Sequence, residues 1–160
     1  YEIKAGIGLS KSPELYGAFP TDAYSHTPGN AGAQQPGMTG QVKEDFLSRM
    51  LELGVHIENG EIGFRFSLIN PDEFLKQKSV FEYFDLKGDK QQIALIKGQL
   101  GFTFCQVPIV YTVSSEDTIE ITKSDESRIL IPGNTIENIW SSVLYKRDGS
   151  ISQIDVSFKN

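Results

Sequence analysis

The spacing of apolar residues changes period once in this chain, at Gly54, and no other feature limits the fold as much. Before Gly54, good helix formers run from Lys43 to Leu53, with Val42, Phe46 and Met50 at i, i+4, i+8 and Leu47 and Leu51 beside them. That recurrence predicts an amphipathic helix whose apolar face must pack on something. Thr39 is the expected N-cap. Glu44 and Asp45 are expected in the first turn, where the helix dipole favours negative charge. Gly54 supplies a left-handed stop.

After Gly54 the period is two. Val55-His56-Ile57-Glu58, Asn59-Gly60 and Glu61 to Phe66 read as a hairpin around a strong two-residue turn signal. Asn70-Pro71-Asp72-Glu73 suggests a single helical turn. Further strands are expected at Val80–Leu86, Gln92–Lys97, Leu100–Cys105, Val107–Val113, Thr118–Thr122, Arg128–Ile131, Ser142–Lys146 and Ser150–Phe158. Short strands between regularly spaced turns point to a mainly β fold, an antiparallel β-sandwich preceded by a long loop and one amphipathic helix. The domain boundary falls near Gly54, giving segments 1–54 and 55–160.

Charge narrows the function classes. The chain has 160 residues and a formal charge of -6, with its Lys and Arg scattered, which argues against nucleic acid as a partner, because phosphates are matched by clustered basic residues. No apolar run approaches the ~20 residues of a membrane-spanning helix. The single cysteine, Cys105, rules out an internal disulfide, and zinc-type spacings are absent. Neither a metal nor a cofactor is expected. The chain starts at Tyr1 without Met or signal peptide and reads as a piece of something longer.

Ahead of the helix lies a stretch of a different kind, Tyr16 to Gly40, YGAFPTDAYSHTPGNAGAQQPGMTG. It is nearly free of aliphatic residues and rich in amides and hydroxyls. Connections usually take about 4–6 residues, and those beyond roughly 12–15 are functional or disordered. Disordered segments are poor in aromatics, whereas this one carries Tyr16, Phe19 and Tyr24. It reads as an ordered functional loop.

The succession of polar aromatic loop, Pro-Gly, amphipathic helix, Leu-Gly-Val and strand–Asn-Gly–strand resembles the end of the helical barrel in six-hairpin glycosidases. These are the (α/α)6 enzymes of the cellobiose phosphorylase-like and glucoamylase-like kind. The block SHTPGNAGAQQPGMTGQVKEDFLSRMLELGV is similar to one in bacterial members of that superfamily. The resemblance spans Tyr16 to Leu68, about a third of the chain. It implies a carbohydrate-active parent protein whose barrel lies mostly upstream of Tyr1, with a C-terminal β-sandwich packed against it. The implied partners are a carbohydrate and that upstream barrel domain.

Glycoside cleavage usually needs two carboxyl groups flanking the scissile bond. Asp22 is the only carboxylate in the loop. It is the candidate catalytic acid or base, or else a turn residue accepting backbone hydrogen bonds after Pro20; a catalytic partner would come from the barrel. Tyr24, His26, Gln34 and Gln35 are the candidate substrate-binding residues. Tyr24 offers a stacking face, and His26 and the two amides offer hydrogen bonds to sugar hydroxyls. Each could equally hold the loop to itself. Elsewhere, His56 reads as solvent-facing or pair-bonded, Cys105 as a small buried hydrophobe and Trp140 as core, interface or sugar platform. The acidic pairs Glu116-Asp117 and Asp125-Glu126 read as solvated turns. This stretch alone is not expected to catalyse. Two other readings stand beside it: a free-standing carbohydrate-binding β-sandwich module, and a structural or assembly domain.

Overall fold

In the computed structural model, which describes residues 38–159 and the side chains of 45–159, helix α1 (Met38–Glu52) gives way to strands at Gly54. The helix starts before the expected cap, so Thr39 lies inside it and the first turn holds no acidic residue. Glu44 and Asp45 therefore fall later than expected. Its end is as expected. Gly54 has φ +73, and its carbonyl accepts from Arg65 N at 2.7 Å. A Cβ there would stand 1.8 Å from Arg65 O, so the approach admits only glycine.

Ten strands follow: β1 (Val55–Glu58), β2 (Glu61–Phe64), β3 (Ser79–Phe84), β4 (Lys90–Leu95), β5 (Gln99–Phe104), β6 (Val107–Ser114), β7 (Thr118–Lys123), β8 (Arg128–Pro132), β9 (Thr135–Ile136) and β10 (Ile151–Lys159). The hairpin β1–β2 has the expected register, Val55 opposite Phe64 and Glu58 opposite Glu61. Asn59 and Gly60 both take positive φ, as a tight hairpin turn requires. The expected helical turn is present at Pro71–Glu73, where the Asn70 side chain accepts from Asp72 N.

Three sheets result, ordered β1-β2-β9, β5-β6-β10-β7-β8 and β3-β4. The fold is mainly β, but the pairing departs from the expected all-antiparallel pattern. Strand β10 inserts between β6 and β7, antiparallel to β7 and parallel to β6. Its register shifts between Ile151 and Gln153, where Ser152 Oγ donates toward the Thr122 and Lys123 carbonyls. A second correction concerns the segment read as a strand at Ser142–Lys146. It is the end of helix α2 (Asn138–Lys146), capped by Arg147 in the left-handed conformation.

The interior belongs to the unit that begins at Arg49, and the described residues before Arg49 fall outside it. Val55, Ile62, Phe64 and Ile136 of the three-stranded sheet and Ile109, Tyr111, Ile119, Ile121, Ile154, Val156 and Phe158 of the five-stranded sheet share one core. Tyr111 is its hub. Its ring meets Phe64, Phe66, Phe102 and Phe158 edge-on at 4.9–5.9 Å, and its hydroxyl donates to Leu53 O at 2.8 Å. Ser141 joins α2 to both neighbouring strands: its Oγ donates to Ile136 O at 2.8 Å and accepts from Ile62 N at 3.1 Å. Hairpin β3–β4 rests on the opposite face of β5, where Gly101 makes room for Leu95 and the Phe81 ring.

Candidate functional site

The residues named from sequence for the site, Asp22, Tyr24, His26, Gln34 and Gln35, lie outside the described residues, as do Tyr16 and Phe19. Among the described residues, the polar concavity that stands out is on the outward face of the three-stranded sheet. Alternation along β1 and β2 turns Val55, Ile62 and Phe64 into the core and sends His56, Glu58, Glu61 and Gly63 outward. Strand β9 adds Thr135 directly opposite Gly63. The absent side chain at Gly63 leaves room for the His56 ring, and beside that ring is a hollow of about 210 Å³ lined by these outward residues with Asn59, Arg65 and Asn134.

His56, which the sequence suggests is solvent-facing or pair-bonded, has a backbone partner. It is half-buried, and its ring lies across Gly63: a Cβ on that glycine would stand 2.3 Å from both Cε1 and Nε2. Its Nδ1 is 3.4 Å from Gly54 O. Glu58 and Arg65 pair at 3.6 Å, both well exposed. Asn138 donates to Asn59 O at 3.3 Å and so ties the hairpin turn to the start of α2. The hollow offers donors and acceptors on every side and no aliphatic wall. Among the described residues, no group of three or more His, Cys, Asp or Glu is placed to hold a metal ion.

The other candidates divide. Cys105 is half-buried against the core at the turn between β5 and β6, and burial pushes its thiol up despite the nearby positive charge of Arg147. It has the character of a hydrophobe rather than a nucleophile. Trp140 packs half-buried against the core from α2. Asp125 accepts from Ser127 N and Oγ, and those bonds pull its carboxyl down to about 2. Asp117 accepts from Lys159 N at 2.8 Å. Both acidic turns are thus partly internal fastenings, not only solvated charge. Asp155, on the outward face of β10, is half-buried; burial pushes its carboxyl up against two hydrogen bonds from Gln153.

The hollow was half-visible in the sequence. The alternation in VHIENGEIGFRF puts His56, Glu58, Glu61, Gly63 and Arg65 on one face. Its third wall comes from Asn134 and Thr135, far along the chain, and no local signal announces that pairing. Among the described residues no helix is long and apolar enough to cross a membrane. No family model matches the chain, and no curated protein matches it.

Proposed function

We propose that this chain is the C-terminal part of a carbohydrate-active protein of the six-hairpin type. In this reading α1 is the last helix of an (α/α)6 barrel and the Tyr16–Gly40 loop faces its sugar site. Residues 55–160 form a β-sandwich that covers the barrel's side and performs no chemistry alone. The sharing of one core by the two larger sheets is consistent with that sandwich.

The observation that supports the reading best is the apolar surface of α1. Phe46, Leu47 and Leu51 are 58%, 57% and 59% exposed, while Leu53 is buried in the β core and Met50 packs partly buried against it. A helix that serves only its own β domain has no use for three large apolar side chains in water. A helix that also lines a barrel does. Trp140, the platform that a free-standing sugar-binding module would have used, is packed inward.

The test is the triple substitution Phe46→Ser, Leu47→Ser and Leu51→Ser, made both in this chain alone and in the longer parent protein. Unfolding of the isolated chain should be unchanged within about 0.5 kcal/mol, as for ordinary surface positions. In the parent the same change should cost several kcal/mol, each buried side chain contributing about 1.5–3. Equal, small effects in both proteins would refute the reading.

A further inference from the structure

The hollow beside His56 goes beyond that proposal, because it lies on the sheet and uses none of the Tyr16–Gly40 residues. An apolar occupant would strip water from Glu58, Glu61 and Arg65 and return no hydrogen bond. An anionic one would meet two carboxylates, and a bare cation would meet Arg65 with no set of three ligating side chains to hold it. A neutral molecule with hydroxyls around its whole edge satisfies every wall. Its hydroxyls donate to carboxylates and accept from guanidinium and amide groups, and each hydroxyl can do both.

We propose that the outward face of the three-stranded sheet binds one neutral saccharide residue in the hollow beside His56. Glu58 and Glu61 accept from its hydroxyls, and Arg65 and Asn134 donate to them. A cavity of about 210 Å³ holds a single ring with its far edge in solvent. Without an aromatic platform the affinity is weak, on the order of millimolar, since few atoms make contact.

The test is a titration of the chain with D-glucose, D-galactose, D-mannose and D-xylose, each to about 100 mM, well above a millimolar Kd. Inorganic phosphate and calcium serve as controls, and NMR follows the His56 ring protons and the Gly63 and Thr135 amides. At least one sugar should move all three sets together and saturably. Gly63→Ala, whose methyl group occupies the floor and displaces the imidazole, should abolish the response, and Glu61→Gln should weaken it about fivefold or more, the loss of one hydrogen bond to a charged group. Should Gly63→Ala fail to fold, Glu61→Gln and Asn134→Ala carry the test. The proposal is overturned if no sugar moves these signals in a folded protein. A response unchanged in the variants, or one given by phosphate or calcium alone, overturns it too. None of these failures bears on whether the parent is a barrel enzyme.

Discussion

Tyr111 does two jobs that a phenylalanine could only half fill. Its ring is surrounded by four others, and its hydroxyl satisfies Leu53 O where helix α1 ends. Burial pushes the phenol far up, so it stays a neutral donor at any ordinary pH. Tyr111→Phe keeps the packing and strands one buried carbonyl, so it should cost about 1–2 kcal/mol in a denaturant titration. A neutral result would mean that water reaches that carbonyl. Asp155 makes an opposite case. Its carboxyl is pushed up by burial, so the folded state holds the proton more tightly than the unfolded state, whose pKa is about 3.9. Its favourable contribution is complete below that value and is lost as pH rises through the folded pKa. Asp155→Asn should therefore raise Tm at pH 7, by about 1–3 °C for so partly exposed a group. The gain should vanish in acid, and thermal melts across the pH range would show it.

One fastening between elements is electrostatic. Arg49 in the last turn of α1 forms a two-armed pair with Glu73 in the turn Pro71–Glu73, with one arm at 3.0 Å. That pairing lowers the Glu73 carboxyl against a smaller effect of burial. The stability it gives is present above the unfolded pKa of about 4.3 and disappears as pH falls through the folded value. Glu73→Gln should cost about 0.5–1 kcal/mol at neutral pH, a partly exposed pair being worth no more. The difference from the parent sequence should close in acid; a pH-independent difference would assign the effect to packing.

Elements also differ in how legible they were in the sequence. Asn59-Gly60 and Gly54 announce themselves because only a few residues tolerate the backbone they need. The turn at Cys105-Gln106 takes the same left-handed geometry at both positions with neither Asn nor Gly, so its composition carried no hint. Helix α2 was misread because Ser142 to Lys146 is too short to separate a period of two from one of 3.6. The wider window, with Ile139, Trp140, Val143 and Leu144, has the helical spacing. Strand β10 was found, but not its place between β6 and β7, since a parallel partner leaves no local mark on either strand. The hollow shared that fate: its β1–β2 half could be read from alternation and its β9 half could not.

At the scale of the whole molecule, the described residues include a β unit with a buried core and a polar hollow, and a helix, α1, that exposes Phe46, Leu47 and Leu51. On the function proposed above, that unit packs within a larger carbohydrate-active protein. The measurement that tests this most directly is turnover by the parent protein on aryl-glycosides and oligosaccharides, with and without phosphate, alongside Asp22→Asn and His26→Ala. On the proposed function, turnover in the parent should collapse in the variants while their folding is retained, and the isolated chain should show none. Absence of turnover on every substrate, or turnover that both variants leave intact, would contradict it.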